Sequence, residues 1–265
     1  MSEQTERFNA AYKARATNPT FLSIEKQVCG CGYGSASWTT QGEADEMLRH
    51  LNMGPETHLL DIGSGAGWPA LYFADQSGCD ATLTDLPYDG LSIARTRAHK
   101  DGMRARVRAA VASAAELPFG GESFDAITHS DVLCCLAPKI EALEACRRVI
   151  KPTGKMAFSV IYLNAGLSDA EMELAKKGAP ELVEASAPYE DMLAQTGWTL
   201  TYRASLNDQF RKTALHLKEL EEANREDLLK VWGDETDNII QSRVDYVTAI
   251  DNNLTGRDLF IVKPA

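Results

Sequence analysis

Two kinds of apolar spacing alternate along the chain. Short apolar runs bounded by turn residues read as buried strands, and segments with apolar positions every three or four residues read as helices. The runs "HLLDI" (58–62), "ATLTD" (81–85), "ARVRAAV" (105–111), "FDAITHS" (124–130) and "KMAFSVIY" (155–162) predict five strands. Helices are predicted between them at 69–76, 88–101 and 139–150. Upstream, residues 3–17 predict a helix ending near Asn18-Pro19. A Gly- and Ser-rich loop, "QVCGCGYGSASWTT" (27–40), follows, and then a helix at about 41–53 closed by Gly54-Pro55. Strands alternating with helices imply an α/β fold, a parallel sheet with helices on both faces. The C-terminal part departs from this. "WTLTYRAS" (198–205) predicts a strand, roughly 207–250 helices, and "RDLFIVKP" (257–264) a last strand. An insertion of that length exceeds an ordinary connection and lies where a substrate cap could sit. The expected organisation is an N-terminal helical lid segment (1–54), a core domain (55–204 with 252–265) and a helical insertion (205–251).

Composition narrows the class. The 265 residues are 44% apolar, enough for a sizeable core. No apolar run reaches the roughly 18 residues of a membrane span. The stretch "MSEQTERFNAAYKARATNPT" is polar and lacks an apolar signal region. The expectation is a soluble, cytoplasmic protein without a membrane partner. The formal charge is −11, from 27 basic against 38 acidic residues. No basic stripe exists to neutralise phosphates, which argues against nucleic acid. Much of the excess lies in 164–238, with 16 acidic and 8 basic residues, and reads as solvated helix surface. The six cysteines (29, 31, 79, 134, 135 and 146) form no C-x-x-C pair, and Cys29-Gly-Cys31 is too tight for zinc. They read as reduced thiols, with no metal site.

The chemistry centres on "LLDIGSGAGWPALYFA" (59–74), where Gly63, Gly65 and Gly67 follow a buried strand and open a helix. Glycine there can take dihedrals that bulkier residues avoid and lets a ligand approach the backbone. The helix N-terminus beyond it presents free N–H groups. A turn made for packing alone is the plainer alternative. Asp61 ends the first strand and Asp85 the second, 24 residues later, where a carboxylate can take the hydroxyls of a ribose. The spacing G-x-G-x-G differs from the dinucleotide G-x-G-x-x-G and disfavours a nicotinamide-dependent oxidoreductase.

Four ordered segments carry a resemblance. "LLDIGSGAGWPALYFA" resembles motif I of class I S-adenosylmethionine-dependent methyltransferases, and "TLTDLP" their acidic motif II. "AAELPFGGESFDAITHSDVLCCL" and "ACRRVIKPTGKMAFSVI" are similar to the segments around strands four and five of the ubiquinone- and menaquinone-biosynthesis-like subgroup (methyltransferase types 11 and 25). The likeness covers roughly 55–162. It implies a Rossmann-like seven-stranded sheet, mostly parallel with the last strand antiparallel, and methyl transfer from S-adenosylmethionine to a small-molecule acceptor, leaving S-adenosylhomocysteine. Carried over by position, Gly63, Gly65 and Gly67 line the cofactor's methionine and ribose, and Asp61 lies near its ammonium. Asp85 binds the ribose hydroxyls and Leu86 lies against the adenine. Ser113 and Ala114 stand where the family often has Asp-Ala beside the adenine amine, and Ser113 is a departure. His129 and Ser130 face the sulfonium region.

Candidates for the reaction follow from strand ends. His129 is a candidate base or substrate anchor, with a structural histidine as the alternative. Asp131 is a second catalytic candidate or an anchor for a substrate amine, with an N-cap as its alternative. Tyr33, Trp38 and Tyr162 are candidate substrate-binding aromatics, since aromatic faces attract a sulfonium or methylated ammonium. The alternative for Tyr33 and Trp38 is core packing, which is also expected of Trp68. Arsenite methyltransferases carry a cysteine in a related segment after strand four. Here that segment reads Ser130-Asp131-Val132, which disfavours a thiol or metalloid acceptor and leaves Cys134 and Cys135 as small buried residues. A non-catalytic module that binds the cofactor is a third reading. No residue sets the acceptor atom or the oligomeric state.

Overall fold

The computed structural model describes residues 3–265. Three helices open the chain: α1 (Glu3–Thr17), α2 (Pro19–Cys29) and α3 (Gln41–Leu51). The alternating region follows as β1 (His58–Ile62), α4 (Ala70–Ser77), β2 (Asp80–Asp85), α5 (Tyr88–Lys100), β3 (Val107–Val111), β4 (Phe124–Ser130), α6 (Lys139–Val149) and β5 (Ile150–Leu163). The rest comprises α7 (Asp169–Lys176), α8 (Tyr189–Gln195), β6 (Trp198–Ser205), α9 (Asn207–Ala223), α10 (Arg225–Trp232), α11 (Thr236–Asp251) and β7 (Thr255–Pro264).

The seven strands form one sheet in the order β3-β2-β1-β4-β5-β7-β6. The first five run parallel, and β7 lies antiparallel between β5 and β6. Both faces are covered, as expected of a sheet built from crossovers. On one face Met47 of α3, Leu71 and Phe73 of α4 and Leu91 of α5 pack against Leu59, Leu83 and Ala157. On the other, Leu143 and Val149 of α6 and Leu193 of α8 pack against Ile127, Phe158 and Phe260. The fold class, the antiparallel last strand and the helical segment between the last two strands agree with the sequence reading.

Three helices were not expected: α2, α7 and α8. The Asn18-Pro19 pair does end α1, but it also starts α2. The Asn18 side chain accepts from the Phe21 N–H at 2.8 Å, and Pro19 occupies the first turn, where no N–H is needed. The loop therefore runs only from 30 to 40. Thr40 closes it with a capping box on Glu43 of α3. The N-terminal helices reach two neighbours: α1 packs on α5, and α2 on α9 of the insertion. Among the described residues no helix is long and apolar enough to cross a membrane.

Candidate active site

The turn after β1 is built for glycine. Gly63 has φ 67° and Gly65 φ 48°, left-handed values that residues with a β-carbon rarely adopt. Space is short as well: a β-carbon on Gly63 would lie 2.5 Å from Val132 Cγ2, and one on Gly65 2.7 Å from the Tyr12 hydroxyl. Gly67 likewise has a positive φ, 102°, and a β-carbon there would meet Leu71 at 2.7 Å. The turn is pinned to β2. Ser64 N–H donates to Thr84 O (3.0 Å), Thr84 N–H to Ser64 Oγ (3.1 Å) and Gly65 N–H to Asp85 Oδ2 (2.8 Å).

A cavity opens over this turn at the C-terminal ends of β1, β2 and β4, the position at which open α/β sheets take ligands. Asp61, Gly63, Gly65, Asp85, Leu86, Ser130 and Asp131 line it, so seven of the expected residues come together. The opposite wall is α1, through Thr5, Phe8 and Tyr12. Asp61 is almost wholly buried and accepts from Thr128 Oγ1 at 2.6 Å. Burial pushes its carboxyl up to about 7, although the bonds from Thr128 and Ser64 favour the charged form. Asp85 accepts the N–H groups of Gly65 and Leu86, each at 2.8 Å, and burial still pushes it up to about 6. Ser130 Oγ is buried without a partner among the described residues.

Asp131 has its carboxylate already engaged. Both its oxygens accept from the wholly buried Arg257 of β7, at 2.9–3.1 Å. Arg257 also donates to Glu43 Oε1 (2.8 Å), Thr39 Oγ1 (3.3 Å) and Ser159 Oγ (3.2 Å). Burial alone would lower the Arg257 pKa, but Asp131 and Glu43 outweigh it and raise it. Asp131 is therefore neither a free base nor an N-cap. It sits at φ 55° with its N–H on Ser159 O (2.9 Å) and ties β4 to β7.

His129 is a correction. Its ring stacks on Phe158 (centroids 4.6 Å apart), on the face of the sheet packed by α6 and α8, and does not line the cavity. Neither ring nitrogen has a partner among the described residues, and burial holds its pKa down to about 3. Successive strand residues point to opposite faces. Thr128 and Ser130 therefore face the Asp61 side, and His129 cannot.

Six other expectations also miss the cavity, Gly67 among them. The Ser113 hydroxyl accepts from Ala115 N–H (3.3 Å), and Ala114 packs with Leu117 in the core. Tyr33 lies against Trp68, with Arg97 over its ring. Tyr162 is held by Arg203 Nη2 (3.3 Å) beside Gly256. Trp38 packs on Phe210 (4.8 Å) and Tyr246 (5.0 Å) and lines a second cavity instead. Trp68 does pack as expected, its indole N–H on Thr39 O (2.8 Å), and its edge joins the first cavity's wall. Cys134 is buried as expected, whereas Cys135 is half-buried and lines the first cavity; all six cysteines are free thiols. Sequence reasoning missed Tyr12, Arg257 and Glu43. Only the capping signature Thr40-x-x-Glu43 was visible locally, and it gave no hint of a partner in β7.

A model of a methyltransferase domain matches residues 60–158. The methyltransferase GfsG of Streptomyces halstedii is 23% identical over 202 residues, 72% of this chain and 73% of that protein. The ubiquinone biosynthesis O-methyltransferase of Roseobacter denitrificans is 32% identical over 170 residues, 60% of this chain and 67% of that protein. Among solved structures, phosphoethanolamine N-methyltransferase 2 of Haemonchus contortus, in complex with phosphomonomethylethanolamine and S-adenosylhomocysteine, superposes with a TM-score of 0.77 at 21% identity. That match covers 97% of this chain and 61% of that one. With the strand order, the glycine turn and the acidic strand ends in place, the chain belongs to the class I methyltransferases, whose cofactor is S-adenosylmethionine.

Proposed function

We propose that the chain transfers a methyl group from S-adenosylmethionine to a small-molecule acceptor by in-line displacement. One observation carries the reading. Asp61, which is buried, and Asp85, which is half-buried, stand at the ends of adjacent strands, border one cavity and have no cationic side chain within ion-pair distance among the described residues. Buried carboxylates are costly unless compensated. A ligand bearing an ammonium and a vicinal diol compensates both.

The residues present fit such a ligand. Asp61 would hold the ammonium and Asp85 the ribose hydroxyls, each carboxylate oxygen of Asp85 keeping a free lone pair beside its backbone bond. Gly63 and Gly65 keep the main chain bare, Leu86 offers an apolar edge to the adenine, and Ser130 supplies an unpaired hydroxyl. S-adenosylmethionine when bound supplies a methyl group activated by its sulfonium. The protein contributes alignment and exclusion of water, and α1 with Tyr12 closes the side of the site away from the sheet. Neither His129 nor Asp131 is free to act as base, so the acceptor is expected to attack with a lone pair that needs no base from either. The insertion 205–251, packed on the N-terminal helices, acts as the cap that limits acceptors to small molecules.

A thermal-shift titration tests this. Ligand at about 100 times its Kd adds roughly 2.7 kcal/mol, a shift of roughly 5–10 °C for a chain of this size. S-adenosylmethionine and S-adenosylhomocysteine are expected to give it and NAD⁺ none. A shift with NAD⁺ alone rejects the reading. Transfer of labelled methyl to an acceptor then separates an enzyme from a module that only binds.

A further inference from the structure

A second cavity lies beyond the loop Ser35–Ser37, whose three residues also line the first. Its walls come from α1 (Arg15), α2 (Phe21), Trp38 and the insertion helices (Glu221, Arg243, Tyr246). Two of these residues are arginines, and they are differently placed. Arg243 of α11 donates to both oxygens of Glu221 (3.0 and 3.1 Å) and lies 5.1 Å over the Trp38 ring. Arg15 has no carboxylate within ion-pair distance among the described residues. Its Nη1 reaches Ser35 O at 3.4 Å, and its Nε is sealed from solvent without a partner. Burial, and then the like charge of Arg243, lower its pKa.

The carboxylates nearby do not satisfy Arg15. Glu221 is held by Arg243. Glu25 takes the N–H groups of Tyr33 (2.6 Å), Gly34 (2.6 Å) and Ser35 (2.9 Å) and the Ser35 hydroxyl. The cavity wall thus carries a guanidinium whose donors are under-used, beside a second guanidinium that can share a partner. Guanidinium groups match planar oxyanions. Phe21, Trp38 and Tyr246 add flat apolar surface around them.

We propose that this cavity seats the methyl acceptor and selects a molecule with a ring-bearing apolar body and an oxyanion, a carboxylate or phosphate, bound by Arg15 and shared with Arg243. The term acceptor rests on the methyltransferase reading, whereas anion recognition stands on the cavity itself. The nucleophilic atom then points through the Ser35–Ser37 side, toward the end of β4.

The test is isothermal titration of the full chain saturated with S-adenosylhomocysteine, using phenylacetate, phenyl phosphate and the neutral phenylacetamide. At least one of the two anions is expected to bind saturably and at least tenfold more tightly than the amide, and which one does so identifies the head group. Arg15→Gln is expected to remove that preference while leaving S-adenosylhomocysteine affinity within twofold, and Arg243→Lys to weaken it. Equal binding of anions and amide, no saturable binding of either anion, or an anion preference intact in Arg15→Gln overturns the proposal. The anion-to-amide comparison uses the unmodified chain and so does not depend on a variant folding. Anion preference in a chain that binds neither sulfur cofactor supports the anion seat and removes the methyltransferase reading.

Discussion

Asp61 and Asp85 on one side, and Asp131 and Glu43 on the other, are four carboxylates around one end of the sheet, all buried except the half-buried Asp85. Among the described residues the first two lack a cation, and desolvation lifts them to about 7 and about 6. The second two close on Arg257, which fills both oxygens of Asp131 and reaches Glu43 at 2.8 Å. The difference separates two uses of a buried charge. A carboxylate supplied with its own arginine is internal architecture, and removing either partner exposes the full desolvation cost of the other. A carboxylate left without one keeps that cost until a ligand brings the opposite charge.

Four substitutions sharpen or break this contrast. The largest effect is expected at Arg257→Met, which strands Asp131 and Glu43 and should cost about 3–5 kcal/mol in denaturant unfolding. A loss below about 1 kcal/mol contradicts the architectural role. Next, Asp85→Ala should weaken S-adenosylhomocysteine binding by about 1.5–3 kcal/mol, roughly 10- to 150-fold by calorimetry, with the fold retained. Unchanged affinity removes the ribose assignment.

The pH response of Asp61 comes third. Its folded-state pKa lies above the ordinary carboxylate value, so the folded chain keeps a proton that the unfolded chain has released. Stability of the ligand-free chain therefore falls as pH rises from about 4 to about 7. His129, held down to about 3, acts in the opposite sense below about 6.5, so the informative curve is the difference between the native chain and Asp61→Asn. That difference should vanish near pH 4 and favour Asn as pH rises. S-adenosylmethionine affinity of the native chain should fall below about pH 7, as the ammonium loses its carboxylate. A flat difference curve breaks the assignment. The smallest effect belongs to His129→Phe, which removes two unpartnered ring nitrogens from a stacked position. Turnover should stay within about twofold and stability hold or rise by about 1 kcal/mol.

What the sequence disclosed follows the range of the interactions. The strands pair with partners as distant as β1 with β4, but the strands, the glycine turn and the acidic strand ends each show in the local pattern of apolar, glycine and acidic positions. Arg257 meets Asp131 across 126 positions and Glu43 across 214, distances at which no spacing rule operates. Tyr12 is hidden for the same reason: the Gly65 turn it abuts lies far along the chain and leaves no mark on the helix pattern of α1. His129 and Ser130 are adjacent in a strand, and only one of them can face the cavity. Helix α2 shows the reverse, because the Asn18-Pro19 pair is a local signal that marks both the stop of α1 and the start of α2.

Helix α1 has a mechanical consequence. Tyr12 and Arg15 are three residues apart and so share a face of one rigid rod. The first abuts the glycine turn, and the second lines the cavity beyond Ser35–Ser37. Any tilt of the rod that makes room above Gly65 also moves the guanidinium next door. The two chambers are then geared together, and whatever factor filling one imposes on the affinity of the other must be returned in full when the order of filling is reversed.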